Sequence, residues 1–383
     1  MEPLQADELE RRLESLLPLV AEHAGKANDD RRPNNEVMRA LAEEGLLRLV
    51  VPAGYGGHEL HPRAFLELVE RLAATDGSTG WAVMTCNEEA GIASAYLNPE
   101  SMRSLYADAP ATIVAGSGVP RGTAVPTDRG WRVTGRWDFV SGCTASDRVV
   151  LACLVKDAKP VQLCHVLVPT DEVVIEDTWH TAGLRGTGSN DVVLDNHFVP
   201  DRWAGVSESG ALPRPDVPFY RLPSGLRFPF PKVGVAAGLA RAAIVEFGDL
   251  AEGKRPLWNR GSLAQRPTAQ QAMAEAQAKR DSGLAWVREL LAELWSVAEE
   301  GEPIPAALHA RCRLACSNSV SASISAIDDL CREAGSTANF TGSPLPGLLA
   351  DARAVAGHFM VAPYQMATAG RILLGLDSDD PQF

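Results

Sequence analysis

The sequence predicts an α+β protein in which a β-rich unit separates two helical regions. Apolar residues recur at three- and four-residue spacing before about residue 110 and again after about residue 230, as they do in amphipathic helices. Between these regions lie short runs rich in Val, Ile and Leu, separated by Gly, Asp and Pro, which is typical of strands joined by turns. The expected units are 1–110, 111–225 and 226–383.

The N-terminal unit contains three helical patterns. They read LERRLESLLPLVAEHA, NNEVMRALAEEGLLRLV and PRAFLELVERLAATDGSTGWAVMTCNEEAGIASAYL. A Pro/Gly turn cluster, VPAGYGGHEL, separates the second pattern from the third. This spacing predicts a helical domain.

The middle unit contains six β-rich runs: ATIVAGSGVP, GWRVTGRWDFVSG, DRVVLACLV, QLCHVLVP, VVIEDTW and DVVLDNHFVP. The last run belongs to GLRGTGSNDVVLDNHFVP at 183–200, where three glycines lie within six positions. A dinucleotide phosphate loop needs a helix after its glycines, with its N-terminus facing the pyrophosphate. Here a β-branched run follows, and Asp191 would repel phosphate, so a Rossmann interpretation is weak.

A Pro-rich connector, LPRPDVPFYRLPSGLRFPFP at 212–231, leads into the C-terminal helices. Four long helical patterns come after it: VGVAAGLARAAIVEFGDLAE, PTAQQAMAEAQAKRDSGLAWVRELLAELWSVAEE, PAALHARCRLACSNSVSASISAIDDLCREAG and GLLADARAVAGHFMVAPYQMATAGRILL. Their apolar spacing predicts long helices throughout this unit.

Composition and charge exclude several functions. The formal net charge of −13 argues against binding to nucleic acid or to an anionic membrane, because both are bound by clustered Lys and Arg. The acidic start lacks the basic and apolar regions of a secretory signal. Seven cysteines without a C-x-x-C pair point to a reducing compartment. We therefore expect a cytoplasmic protein.

Four motifs in order resemble the acyl-CoA dehydrogenase fold family: PAGYGG at 52–57, DGSTGWAV at 76–83, GWRVTGRWDFVSG at 130–142 and the glycine-rich segment at 183–200. The resemblance covers nearly the whole chain. It implies an N-terminal helical domain, a middle β-barrel domain and a C-terminal four-helix bundle, assembled as a homotetramer that binds flavin. It also implies that the glycine-rich segment is a turn into a strand near the flavin.

The residues distinguish two chemistries of this family. Its dehydrogenases use a Glu late in the chain or at the start of the C-terminal domain as the base. This chain has no Glu after Glu333, and the domain start reads FPFPKVGVAAG. The late segment instead resembles the oxygenase components of two-component flavin-dependent monooxygenases, with Asp351 followed by His358. On a helix, positions 351, 355 and 358 share one face, which would place His358 beside Asp351.

The same resemblance implies roles for individual residues. Ser141 would hydrogen-bond near flavin N5 and the C4a-peroxide. His358 would orient or deprotonate a substrate hydroxyl, since imidazole titrates near neutral pH. The other positions that match flavin contacts are Trp81, Ser117, Arg255, Gly335 and Ser336, with Arg260 and Arg266 as alternatives to Arg255 at the flavin phosphate. Without the resemblance, these side chains are ordinary core, turn or loop residues.

The resulting hypothesis is a flavin-dependent monooxygenase. Reduced FMN or FAD from a separate reductase would react with O2 and transfer one oxygen atom to a small organic substrate. A phenol, a polycyclic ketone or alcohol, an amine and a sulfur heterocycle all remain open. The alternatives are an acyl-CoA dehydrogenase with Glu88 or Glu89 as a relocated base, and a non-catalytic subunit with a flavin-binding fold.

Overall fold

A computed structural model describes residues 3–208, 216–257 and 261–378. The chain divides into two compact units. The first comprises Met1–Phe65, Trp81–Thr181 and Arg185–Arg221, and the second comprises Leu66–Gly80, Ala182–Leu184 and Leu222–Phe383. The first two residues of the glycine-rich segment, Gly183 and Leu184, therefore belong with the C-terminal helices, and the residues after them belong with the strands.

Helices form within all three N-terminal patterns, although the second pattern is helical only to Glu43, the third is divided, and the last helix lies beyond the quoted patterns. They are α1 (Ala6–Asp30), α2 (Asn35–Glu43), α3 (Pro62–Thr75), α4 (Gly77–Tyr96) and α5 (Pro99–Asp108). The long third pattern is divided at Asp76, whose carboxylate accepts hydrogen bonds from the Thr79 N–H and hydroxyl. This side chain caps the first turn of α4 and so starts a new helix there.

The first unit contains a seven-stranded sheet. Its strands are β1 (Val114–Thr127), β2 (Gly130–Val140), β3 (Arg148–Val155), β4 (Gln162–Pro169), β5 (Val174–Glu176), β6 (Asn190–Pro200) and β7 (Ala204–Glu208). The spatial order is β5-β6-β2-β1-β3-β4-β7, and β1 pairs with β3 in parallel while the other neighbours are antiparallel. All six predicted runs form strands. The edge strand β7 was not predicted.

Trp137 of β2 occupies the centre of the sheet's core. Its side chain is fully buried, and its Nε1 donates a hydrogen bond to the Ala152 carbonyl at 2.7 Å. A Cβ at Gly122 would lie 2.2 Å from the indole ring, and one at Gly135 would lie 2.8 Å from it. Glycine at these two positions therefore makes room for the indole.

Short helices α6 (Pro218–Arg221) and α7 (Ser224–Arg227) precede the long helices of the second unit. These are α8 (Pro229–Gly253), α9 (Pro267–Glu300), α10 (Ala306–Ala334), α11 (Leu345–Ala356) and α12 (Gln365–Leu373). Helix α10 packs against α8, α9, α11 and α12. None of the helices in the described parts of the chain has the length and apolar character needed to cross a membrane.

Helix α8 is buried all round over its first half, from Pro229 to Ala240. A Cβ at Gly238 would lie 2.4 Å from the Glu70 carbonyl oxygen of α3, so the two helices approach at a point that only glycine allows. Glu70 also forms an ion pair with Arg280 of α9. The segment 66–80 is thus attached to the C-terminal helices by both packing and charge.

Candidate active site

The end of β2 forms a tight turn that places Ser141. Phe139 has a φ of +62°, and the Ser141 N–H donates a hydrogen bond to its carbonyl at 2.9 Å. Gly142 follows with a φ of +77°, a conformation that favours glycine. The Gly142 N–H donates to the Thr187 carbonyl at 2.9 Å. The turn is therefore joined by its backbone to the glycine-rich segment.

Three buried hydroxyl groups meet at this junction. Ser141 Oγ lies 2.7 Å from Ser189 Oγ, which lies 2.7 Å from Thr187 Oγ1. We call Ser141, Ser189 and Thr187 the hydroxyl chain. Trp81 Nε1 donates to Ser141 Oγ at 3.1 Å from helix α4. Their exposed fractions are 7% for Trp81, 6% for Ser141, 3% for Ser189 and 0% for Thr187.

The structure thus brings together two predicted flavin-contacting residues, Trp81 and Ser141. Ser117, the third in this unit, lies on β1 opposite Leu151 of β3 and is 9% exposed. Ser189 and Thr187 were not predicted as site residues. In the sequence, Thr187 and Ser189 stand on either side of Gly188, and hydroxyl residues next to a glycine are typical of ordinary turns. Only the tertiary contact with Ser141 distinguishes them.

The hydroxyl chain fits the edge of a flavin ring. A serine hydroxyl has one proton and two acceptor sites, so it can take part in three hydrogen bonds. Trp81 and Ser189 account for two of those at Ser141. The third hydrogen bond of Ser141 suits a neutral ring nitrogen, because the groups of the hydroxyl chain carry no charge.

In the second unit, Asp351 holds the start of the glycine-rich segment. Its Oδ1 accepts a hydrogen bond from the Leu184 N–H at 2.6 Å. A Cβ at Gly183 would lie 2.1 Å from the Ala350 carbonyl oxygen, so the segment crosses α11 where only glycine fits. Leu184 itself has a φ of +50°.

The pKa of Asp351 is raised to about 6, mainly by burial and to a smaller extent by the nearby Asp76 carboxyl, against the opposing hydrogen bond from Leu184. Burial also raises the pKa of Asp76. The two carboxyls therefore form a buried acidic pair that is easier to protonate than aspartate in water. The pair lies beside Gly77, whose Cβ would be 3.2 Å from Asp351 Oδ2.

The prediction that His358 continues the helix of Asp351 is wrong. Helix α11 ends at Ala356, and His358 lies in the turn that follows. Gly357 keeps a helical φ of −69°, and the His358 N–H donates to the Val355 carbonyl at 3.1 Å, three residues back, so the regular helical spacing is lost before the third position of the predicted face.

The surroundings of His358 favour the neutral imidazole. Its pKa lies well below the usual value because of burial first, and then because of the charges of Lys232 and Arg313. Its Nδ1 accepts a hydrogen bond from the Met360 N–H at 3.3 Å. A neutral ring that accepts at Nδ1 carries its proton on Nε2. His358 is therefore arranged as a hydrogen-bond donor.

Lys232 and Arg313 are themselves fully buried. The Lys232 ammonium donates to the Phe228 carbonyl at 3.2 Å, and the Arg313 guanidinium donates to the Gly225 carbonyl at 3.0 Å. The sequence argument missed both residues as neighbours of His358, since they come from α8 and α10. A cation within a helical pattern is usually taken as a solvent-facing residue.

The residues predicted at the far end of the flavin lie on adjacent segments. Arg255 follows α8 and donates from Nη1 to the Glu252 carbonyl at 2.8 Å. The ammonium of its neighbour Lys254 donates to the Ala334 carbonyl, immediately before Gly335 and Ser336. Gly335 has a φ of +60°. Arg266 precedes the first turn of α9, and Arg260 lies outside the described residues.

The proposed relocated bases lie on α4. Glu88 is 7% exposed, and Glu89 Oε2 would be 2.9 Å from a Cβ at Gly116 of β1. Glu89 also contributes to the raised pKa of the Cys86 thiol, after burial. Both carboxyl groups therefore lie inside the first unit.

Comparison with known proteins identifies related families and structures. Residues 11–98 match the N-terminal domain model of acyl-CoA dehydrogenase, and residues 232–363 match its C-terminal domain model. An indole-3-acetate monooxygenase of Pseudomonas putida is 31% identical over 369 residues, covering 94% of this chain and 93% of that protein. A flavin-dependent monooxygenase, oxygenase subunit HsaA, of Mycobacterium tuberculosis is 32% identical over 366 residues, with 90% of each chain covered.

Among solved structures, XiaF from Streptomyces sp. in complex with FADH2 and glycerol superimposes with a TM-score of 0.90. Its sequence is 26% identical, and the match covers 99% of this chain and 98% of that one. The similarity therefore extends over both units of the chain.

Proposed function

Because this chain belongs to the acyl-CoA dehydrogenase family and its full-length relatives are flavin-dependent monooxygenases, we propose that it is the oxygenase component of a two-component monooxygenase. It would use reduced flavin and O2 to add one oxygen atom to a small organic substrate. The sequence prediction of a monooxygenase rather than a dehydrogenase is confirmed at the level of class by these relatives.

The cofactor is reduced FMN or FAD, delivered by a separate reductase. The related XiaF structure contains FADH2. When bound, the reduced flavin supplies the activation of O2 and the transferable oxygen atom. The observation that carries this assignment is Ser141, a buried hydroxyl that Trp81 and Ser189 hold in place with one hydrogen bond still to make.

The other residues of the proposed site would hold the flavin or orient the substrate. Ser117 would line the same face as Ser141, and Arg255, Gly335 and Ser336 would hold the phosphate end of the flavin. His358, with its proton on Nε2, would donate a hydrogen bond to a substrate oxygen or nitrogen. Its low pKa favours this orienting role over proton abstraction.

The proposed function also implies a domain architecture and an oligomeric state for the chain. The sheet would form the barrel-like middle domain of the family, and α8, α9, α10 and α11 would form a four-helix bundle, which the packing of α10 against the other three supports. The bundle would associate as a homotetramer. Seven unpaired cysteines fit a reducing compartment such as the cytoplasm.

The function is tested by mixing the protein, loaded anaerobically with reduced FMN or FAD, with oxygenated buffer. We expect return of the oxidised flavin spectrum to be delayed well beyond the free-flavin control. Bleaching of bound FAD by an acyl-CoA would instead support the dehydrogenase, and failure to bind any flavin would support a non-catalytic subunit.

The site is tested with a substrate panel of phenols, polycyclic ketones, amines, sulfur heterocycles and indole-3-acetate. Ser141→Ala and His358→Ala should each lower product formation by about tenfold or more, the size expected for a lost active-site hydrogen bond. Ser146→Ala, a half-buried turn serine that donates to the Cys143 carbonyl, is the control and should have little effect. Unchanged product formation in both site variants would contradict the assignment.

A further inference from the structure

Arg31 ends helix α1 in a backbone conformation that arginine rarely adopts. Its φ is +54° and its ψ is +39°, in the left-handed region where glycine or asparagine usually follows a helix. For a residue with a Cβ this conformation is unfavourable, and it persists only where other contacts compensate for it. The contacts of the Arg31 side chain therefore indicate why an arginine stands there.

The Arg31 guanidinium binds the loop between β5 and the glycine-rich segment. Its Nη1 and Nη2 each donate to one carboxylate oxygen of Asp177 at 2.8 Å, and Nη1 also donates to the Trp179 carbonyl at 3.0 Å. An isolated exposed ion pair contributes little to stability, but a bidentate pair with a further backbone bond fixes the loop in one position. We call residues 177–180 the β5 loop.

The β5 loop is joined directly to the residue that follows Ser189. Asn190 Oδ1 accepts hydrogen bonds from the Thr178 N–H at 3.1 Å and from the Trp179 N–H at 3.0 Å. The Asn190 N–H donates to the Gly188 carbonyl at 2.7 Å. The position of the loop is therefore coupled to the position of Ser189, the middle residue of the hydroxyl chain.

The same loop contacts the turn that carries Ser141. The Trp179 ring lies edge-to-face against Phe139, with ring centroids 6.1 Å apart and an interplanar angle of 89°. Phe139 also has a positive φ, +62°, and its carbonyl accepts the hydrogen bond from the Ser141 N–H. Through one loop, Arg31 is thus connected to both ends of the hydrogen bond between Ser141 and Ser189.

The backbone at the end of α1 also packs on the glycine-rich segment. A Cβ at Gly188 would lie 3.2 Å from the Arg32 Cα and 3.3 Å from the Arg31 carbonyl oxygen. Arg185 Nε donates to the Asn28 carbonyl at 3.3 Å. The end of α1 therefore contacts the β5 loop with a side chain and the glycine-rich segment with its backbone.

We propose that Arg31 is a positioning residue for the oxygenation reaction, which holds the β5 loop so that Ser141 and Ser189 keep their places at the flavin edge. The inference rests on the proposed function, in which Ser141 contacts the flavin. Arg31 would act through Trp179 and Asn190 and not by contact with flavin or substrate. This role accounts for an arginine at a position whose backbone favours glycine.

Arg31→Gly is the informative variant because it removes the side chain and suits the left-handed backbone. The lost ion pair and the relieved backbone act in opposite directions on stability, so the melting temperature should change by less than about 2 °C. Hydrogen exchange at the Thr178 and Trp179 amides should become about fivefold faster, because the loop is no longer held. With saturating reduced flavin in the anaerobic mixing assay, the oxidised spectrum should return about tenfold faster than in the unmodified protein.

Two further substitutions test the route and provide the control. Asp177→Ala should also accelerate amide exchange and the spectral return, and adding it to Arg31→Gly should have no further effect, because the carboxylate then has lost its guanidinium partner. Arg32→Ala is the matched control, since it removes the neighbouring arginine, whose side chain is 62% exposed and lies 3.9 Å from Asp30. It should change neither measurement.

The outcomes separate the inference from the proposed function. If the unmodified protein delays the spectral return and Arg31→Gly leaves that delay unchanged, the positioning role is refuted while the proposed function stands. A faster return with unchanged amide exchange also refutes it, because the effect would then not pass through the β5 loop. If the unmodified protein does not delay the return, the proposed function fails and the inference fails with it.

Discussion

Replacing Asp351 with Asn should change how the stability of the protein depends on pH. The pKa of Asp351 is about 6 in the folded protein, against 3.8 for an ordinary aspartate. Its contribution to stability is therefore fully present below about pH 3.8 and is lost as the pH rises through about 6. At 1.36 kcal/mol per pKa unit, the loss amounts to about 3 kcal/mol. Asn keeps an oxygen for the Leu184 N–H and cannot ionise.

The assay is the melting temperature of both proteins between pH 4 and pH 7.5. At the acid end the melting temperatures of the two proteins should agree closely. At the neutral end Asp351→Asn should melt about 6 °C higher, given roughly 2 °C per kcal/mol for a chain of this size. Asp249→Asn, an exposed aspartate on α8, is the control and should show the same pH dependence as the unmodified protein. A melting-temperature difference that stays constant or shrinks toward neutral pH would refute the reasoning.

Three further predictions concern packing, a buried hydrogen bond and a proton. Gly183→Ala places a Cβ 2.1 Å from the Ala350 carbonyl oxygen, so it should abolish soluble expression or lower the melting temperature by many degrees. The control is Gly347→Ala in α11, where a Cβ has no neighbour within 4 Å, and it should be neutral or slightly stabilising. Trp137→Phe removes the donor to Ala152 and should cost about 1–3 kcal/mol in chemical denaturation, and a loss below about 0.5 kcal/mol would contradict the assigned bond. Because His358 is neutral, product formation from pH 6 to pH 9 should have the same shape in the unmodified protein and in His358→Asn, and a limb that only the unmodified protein shows would contradict this.

Much of the fold could be predicted because its elements have local signals. All six β-rich runs form strands, since alternating β-branched residues between turn residues specify a strand without reference to distant parts of the chain. The strand β7 was missed because Ala204–Glu208 contains a glycine and two polar residues and depends on pairing with β4 for its conformation.

The breaks in the helical patterns were also local, although periodicity concealed them. Asp76 is followed three residues later by Thr79, and a carboxylate at that spacing caps a new helix. Helix α11 ends at Ala356, where the His358 N–H bonds three residues back to the Val355 carbonyl, although the apolar spacing continues beyond it. A capping side chain marks the first boundary and a change in hydrogen-bond spacing marks the second, and a periodic pattern alone reports neither.

The sequence predicted only those residues of the candidate site that belong to a recognisable motif. Trp81 and Ser141 were identified through motifs and are joined directly in the structure. Ser189 and Thr187 become site residues through the backbone bond from Gly142 to Thr187, which links segments that are about 45 residues apart. Such a contact depends on how two turns meet, which no spacing in the sequence specifies.

The choice between the two chemistries of the family also follows from how the acidic groups of the second unit are used. A dehydrogenase base must be a carboxylate that is free to take a proton from the substrate. Asp351 accepts from the Leu184 backbone and lies beside Asp76, which itself caps α4, so both carboxylates hold backbone in place. His358 is neutral and accepts from the Met360 N–H, which leaves its proton on Nε2. In the proposed function these groups would position a substrate and the segments around it, which is what a site needs when the flavin supplies the chemistry.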